Sequence, residues 1–132
     1  MTTLRFLSLR GCSKVTDQSL AVVGKLRNLA CLGVQCCEEI TDDGLGYLCG
    51  LSRLRMLDLS GCSKITDSGV AHLVGLDSLS TLDLTRCGIT HKSLVLLGGL
   101  TNLSSVSLGW VRQYPVGGEE FLVALRFSKE TG

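Results

Sequence analysis

The chain repeats one phrase. Cysteines stand at positions 12, 37, 62 and 87, and each closes the same run of residues, which around Cys62 reads Leu54-Arg55-Met56-Leu57-Asp58-Leu59-Ser60-Gly61-Cys62-Ser63-Lys64-Ile65-Thr66-Asp67. A unit that returns every 25 residues is too short to bury its apolar side alone, so successive units must stack and share one elongated core. The architecture this demands is a solenoid. Such a shape presents an extended surface in place of a catalytic cavity.

Units begin near Leu4, Leu29, Leu54, Leu79 and Leu103, and the last interval is one residue shorter because Cys87-Gly88-Ile89 replaces Cys62-Ser63-Lys64-Ile65. The first half of each unit alternates with period two, as at Leu57 and Leu59 or Leu82 and Leu84, which is the pattern of a strand with one buried face. The second half changes period. Val70, Leu73 and Leu76, or Leu94, Leu97 and Leu100, form one stripe of a short helix. Between the halves stands Thr16-Asp17, Thr41-Asp42 or Thr66-Asp67, where either side chain is expected to accept a bond from the first amides of its own helix. The fourth unit has Thr90-His91, leaving the capping to Thr90. Gly50, Gly75 and Gly99 fall where each helix must stop, the place of a C′ glycine. One strand per unit, all in the same direction, predicts a parallel sheet on the inner wall and helices on the outer wall.

The phrase LxxLxLxxC-xx-I-T-D-x-G-L resembles the cysteine-containing subclass of leucine-rich repeats. That subclass is known from the F-box proteins that present substrates to cullin-based ubiquitin ligases, and from related repeat proteins without an F-box. The resemblance covers Leu4 to about Leu108. It implies an α/β solenoid in the form of a short right-handed horseshoe, with residues 1–108 as repeats and 109–132 as a divergent C-terminal repeat or cap. It also implies that Cys12, Cys37, Cys62 and Cys87 are small buried residues whose thiols bond the turn backbone. The repeats start at residue 4, so the helical F-box is not expected within this sequence. A ligase role would need that element from elsewhere.

Thirteen basic against twelve acidic residues leave a formal charge of +1, with no net field to draw a nucleic acid. No run of 18 apolar residues occurs, so no membrane span is expected, and Met1-Thr2-Thr3-Leu4-Arg5 lacks the pattern of a signal peptide. Seven cysteines without such a signal point to reduced thiols in a cytoplasmic or nuclear setting. The four periodic cysteines line up at strand spacing rather than converging as a CxxC pair would, so they read as a structural ladder with no metal. Cys49 reads as a packing residue late in a helix, and Cys31 and Cys36 as residues on or beside the inner wall. His72 and His91 both fall in the outer half of their repeats, and no nucleotide, zinc-protease or serine-hydrolase phrase is present. The reading is a chain that is not an enzyme and needs no cofactor.

The inner wall holds the candidate site. The residues between the buried leucines form columns across the repeats: Phe6, Cys31, Met56, Thr81 and Ser105; then Ser8, Gly33, Asp58, Asp83 and Ser107; then Arg10, Gln35, Ser60, Thr85 and Gly109. Arg86 and Trp110 lie just beyond the third column. Stacked Asp58 and Asp83 repel each other at strand spacing and invite a cationic group of a protein partner, beside apolar Phe6 and Met56. At the N-terminal end Leu4, Leu7, Leu9, Val15, Leu20 and Val23 have no preceding repeat, which makes that edge a candidate for self-association or for a subunit contact. At the other end the loop from Gly109 to Gly118, with Tyr114, is a second candidate contact, followed by a fifth helix over Glu119 to Phe127. The expected function is a non-enzymatic protein–protein interaction module. Its alternatives are the substrate-recognition part of a ubiquitin-ligase receptor and a structural subunit docked through the N-terminal edge.

Overall fold

The computed structural model describes residues 3–108, which alternate strand and helix from end to end. The order is β1 (Phe6–Ser8), α1 (Asp17–Val23), β2 (Cys31–Gly33), α2 (Asp42–Gly46), β3 (Met56–Asp58), α3 (Asp67–Ala71), β4 (Thr81–Asp83), α4 (His91–Leu97) and β5 (Ser105–Ser107). The five strands form one parallel sheet in sequence order. Each strand pairs in the register of the repeat, so Leu7, Leu32, Leu57, Leu82 and Val106 stand abreast on its core-facing side. The helices are short because one repeat leaves room for only one or two turns between a strand and the next.

The core is the set of leucine, valine and isoleucine side chains enclosed between the two walls. Leu29, Leu54, Leu79 and Leu103, which open repeats two to five, are 0% exposed. Leu4, their counterpart in repeat one, is 40% exposed. Leu7 and Leu9 are partly buried against the core, while Val15, Leu20 and Val23 are buried, so the open edge is confined to the strand half of that repeat. The shorter fourth interval is closed by Gly88, whose amide donates to the Ile65 carbonyl at 2.7 Å and where a Cβ would come within 3.1 and 3.2 Å of the carbonyls of Ser63 and Ile65.

Two local expectations change. Thr16, Thr41, Thr66 and Thr90 do occupy the N-cap positions, all in extended backbone, and Thr66 and Thr90 accept from the amides of Ser68 and Lys92 at 3.3 and 3.2 Å. The aspartates, however, serve the next repeat. Asp17 accepts the amide and hydroxyl of Thr41 at 2.8 and 2.6 Å, Asp42 accepts those of Thr66 at 2.7 and 2.6 Å, and Asp67 accepts those of Thr90 together with the hydroxyl of Ser93. The reason is distance: stacking brings the next threonine within reach of both carboxylate oxygens at once. Gly44 and Gly69 complete the device, since a side chain there would run into the carboxylates of Asp17 and Asp42.

The second change concerns the turns. Gly50, Gly75 and Gly99 do not take the left-handed conformation of a C′ cap, and the helices end earlier, at C-cap residues Gly24, Tyr47, His72 and Gly98. The left-handed positions are Gly11, Cys36, Gly61 and Arg86, one residue before each periodic cysteine, with φ of 70°, 60°, 79° and 64°. The reversal that needs left-handed backbone therefore follows the strand rather than the helix. Cys49 lies beyond α2 and is exposed, so it does not pack.

Candidate functional site

On the solvent-facing side of the sheet the register places Phe6, Cys31, Met56, Thr81 and Ser105 in one row, and Ser8, Gly33, Asp58, Asp83 and Ser107 in the next. Side chains alternate between the faces of a strand, so the burial of Leu7, Leu32 and Leu57 forces these rows outward. Phe6 is 68% exposed and Met56 45%, two large apolar side chains held in water two strands apart. With Cys31, Gly33, Gln35 and Asp58 they line a shallow groove of about 380 Å³.

Gln35 shapes the floor of that groove. Its side chain folds back over Gly33, where any Cβ would come within 2.8 Å of its Oε1, and its Nε2 donates to Asp58 Oδ2 at 2.9 Å. Asp58 Oδ1 accepts the Ser60 amide at 3.0 Å, and Asp83 Oδ1 accepts the Thr85 amide at 2.9 Å. The two aspartates are thus each tied to their own turn, which offsets the repulsion expected between neighbours in a row. Gln35 Oε1 is buried and has no partner among the described residues. The groove offers apolar contact at one end and carboxylate acceptors at the other.

Arg10 and Arg86 are exposed beyond the strand ends, Arg86 on its left-handed turn beside Cys87. Trp110 and Tyr114, with the 109–118 loop and the expected fifth helix, lie outside the described residues. His72 and His91 sit at the C-cap of α3 and the first position of α4, on the helix wall and far along the chain from the groove.

The periodic cysteines point away from the groove. Cys37, Cys62 and Cys87 are buried, and their thiols donate to the carbonyls of Leu9, Val34 and Leu59 in the preceding repeat, each at 3.1 Å. Burial pushes the Cys37 thiol up, the Cys62 thiol to about 11 and the Cys87 thiol to about 12, so they hold their protons and are poor nucleophiles and metal ligands. Cys12 is exposed, and among the described residues its thiol meets the Arg10 carbonyl of its own repeat at 3.8 Å. Among the described residues no group of three or more His, Cys, Asp or Glu could hold a metal ion, and no helix is long and apolar enough to cross a membrane.

Sequence reasoning passed over one cluster. Arg5, Ala30 and Arg55 hold the position just before β1, β2 and β3, and Arg53 stands two residues ahead of Arg55. With Asn28 and Ser78 they line a second hollow, of about 320 Å³, at the rim where the strands begin. The signal was present in the first variable position of each LxxLxL phrase, which is read as spacer rather than as surface.

The family model for the leucine-rich repeat matches residues 25–49 and 53–74, across two of the repeats whose strands and helices are described above. These units are leucine-rich repeats. Among solved structures, this repeat protein is similar to a chain of the yeast complex of Rad7 and Elc1, with 28% identity and a TM-score of 0.65 over 84% of its length. It spans 30% of that chain. It is also similar in fold to the Chaetomium Mex67:Mtr2 subunits, with 16% identity, a TM-score of 0.63 and coverage of 92% and 88% of the two chains. The actin-binding site 2 of leiomodin-1 shares the fold at 12% identity, with a TM-score of 0.71 over 95% of this chain and 80% of that one. No sequence among curated proteins matches the repeat protein.

Proposed function

We propose that this leucine-rich repeat protein is a non-enzymatic interaction module that binds a protein partner through the concave, solvent-facing side of its sheet, the inner wall of the solenoid. The observation that carries the reading is the row Phe6–Cys31–Met56, which keeps two large apolar side chains in water beside the carboxylates of Asp58 and Asp83. Interfaces draw their energy from such apolar anchors set among polar groups that fix orientation. A partner segment that lays an apolar residue between Phe6 and Met56, and a lysine or arginine towards Asp58, fits this surface. Arg10, Gln35 and Arg86 at the strand ends form its border, and Trp110 and Tyr114, outside the described residues, are further proposed contacts. The test is affinity capture with Met56→Arg beside Val95→Arg on the exposed side of α4. Partners lost with the first and kept with the second support the sheet face; an identical partner set for both overturns it.

A second reading, the substrate-recognition part of a cullin-based ubiquitin-ligase receptor, is favoured by the resemblance of the repeat phrase and by the 28% likeness to a chain found in complex with Elc1. Co-purification of a cullin adaptor with the full-length product of the gene supports it, and its absence there rejects it. A third reading makes the N-terminal edge a docking face in a larger assembly, supported by Leu4, which is 40% exposed where its counterparts are enclosed. Light scattering across a dilution series checks this: a dimer that dissociates in Leu4→Glu supports the edge, and a monomer at every concentration sends the search back to the sheet.

A further inference from the structure

We propose that the rim where the strands begin is an anion site, formed by Arg5, Arg53 and Arg55 around Ala30, that takes a phosphate monoester carried by the protein partner. The proposal rests on the sheet face being the partner-binding face, and it names a second element that such a partner would carry.

The hollow exists because the repeat puts a small residue between two long ones. Arg5, Ala30 and Arg55 occupy the same position in consecutive repeats, so two guanidinium side chains rise on either side of a single methyl group. Two strand spacings separate their backbones, about 10 Å, which leaves room for one tetrahedral anion between the side chains. The carbonyls of the rim are already in use: Arg5 accepts the amides of Ala30 and Cys31 at 2.8 and 2.9 Å, and Ala30 accepts those of Arg55 and Met56 at 2.7 and 3.1 Å. They therefore give the arginines no acceptor. Arg53 is steered into place by its bond from Nη1 to Asn28 Oδ1 at 2.9 Å.

Among the described residues no carboxylate is ion-paired with Arg5, Arg53 or Arg55. The ion pair found among the described residues is Lys64 with Glu39, in the turns at the opposite ends of the strands. Three positive charges thus line one hollow with no ion-paired carboxylate among the described residues, in a chain whose formal total is only +1. A guanidinium presents a planar fork of donors that matches two phosphate oxygens at once, and a phosphate monoester carries close to two negative charges and three acceptor oxygens. A carboxylate offers one charge and fills the site less well. A nucleic-acid backbone needs a longer basic track than one cluster on a nearly neutral chain.

Placement ties the site to the groove. Arg5 and Arg55 are the residues immediately before Phe6 and Met56, so a phosphorylated side chain at the rim would sit next to an apolar residue of the same segment lying between Phe6 and Met56. The partner class is a protein segment with a phosphoserine, phosphothreonine or phosphotyrosine flanked by an apolar residue.

The test follows the arginine Nε–H resonances of the intact chain by NMR while inorganic phosphate, N-acetyl-phosphoserine amide, or its unphosphorylated and glutamate analogues are added. Saturable shifts at Arg5, Arg53 and Arg55 are expected with both phosphates, at least tenfold weaker affinity with the glutamate compound, and no saturation with the serine compound. The pair Arg5→Glu and Arg55→Glu should abolish binding. Lys14→Glu with Lys92→Glu, an equal change of charge elsewhere, should leave it intact. Arg53→Lys keeps the charge without the fork and should weaken binding several-fold even if the glutamate pair does not fold. Shifts that grow linearly without saturation, equal loss in the lysine control, or displacement by single-stranded oligonucleotide at lower concentration than by the phosphoserine compound would each overturn the site. These readouts need no partner. Saturation here with capture unaffected by Met56→Arg sinks the sheet-face reading alone, whereas no saturation with capture abolished by Met56→Arg sinks the anion site alone.

Discussion

Position 11 and its counterparts at 36, 61 and 86 carry the tightest backbone demand in each repeat, since all four have φ between 60° and 79°. Glycine meets that demand without strain at Gly11 and Gly61, while Cys36 and Arg86 hold a conformation that costs a side chain-bearing residue about 1–2 kcal/mol. Cys36→Gly and Arg86→Gly should each raise stability by a net of about 0.5–1 kcal/mol after the extra freedom glycine gives the unfolded chain, as read from urea midpoints. One residue on, the periodic thiols show the effect of burial. Iodoacetamide at pH 8 should label exposed Cys12, Cys36 and Cys49 in the native protein and spare Cys37, Cys62 and Cys87 until it unfolds, which peptide mass spectrometry will resolve. The linkage has a definite sign. A thiol raised from 9.0 to about 11 at Cys62 or about 12 at Cys87 favours the folded state fully below pH 9, and that contribution is lost as pH rises from 9 through the folded values.

At the scale of elements, each helix start is bolted to the one before it. Asp42 satisfies both the amide and the hydroxyl of Thr66 at an exposed site, so Asp42→Ala should cost about 1 kcal/mol, since water can reach the donors it leaves, and equilibrium denaturation will measure it. Asp67 shows the electrostatic side. Burial opposes its charged form, but bonds from Ser93 and Thr90 and the nearby Lys92 outweigh it and hold the carboxyl below its usual 3.8. A lowered folded value means the stabilisation is complete above about pH 3.8 and fades as pH falls through the folded value, so Asp67→Asn should flatten the acid limb of stability and leave the limb above neutrality unchanged. In repeat four His91 replaces the aspartate, and the chain of Thr–Asp bonds stops there.

Over the whole molecule, each helix and strand packs mainly against its neighbours in the row, so stability is a sum of repeats and interfaces rather than the property of one central core. Among the described residues repeat one packs against repeat two alone, with Leu4 40% exposed at its edge and Cys12 bonded within its own repeat. Amide exchange should therefore be fastest in β1 and α1 and slowest around β3, by at least tenfold; uniform protection from Leu7 to Leu57 would mean the array opens only as one unit.

The sequence by itself determined the strand and helix halves, the parallel order and the register, because a fixed repeat length forces equivalent residues to stand side by side. Even the shortened fourth interval could be read in Cys87-Gly88-Ile89, and the rows of the sheet face followed from the alternation around Leu57 and Leu82. What only the tertiary structure decided was which of two partners each polar group takes. Local rules send Asp17, Asp42 and Asp67 to their own helix, place left-handed backbone at Gly50, Gly75 and Gly99, and bury Cys49. Stacking instead brings a threonine of the next repeat nearer than the local amides, moves the reversal to the residue before each periodic cysteine, and leaves Cys49 in solvent. The hollow of Arg5, Ala30 and Arg55 became visible for the same reason, since residues 25 apart become neighbours only once the repeats are stacked.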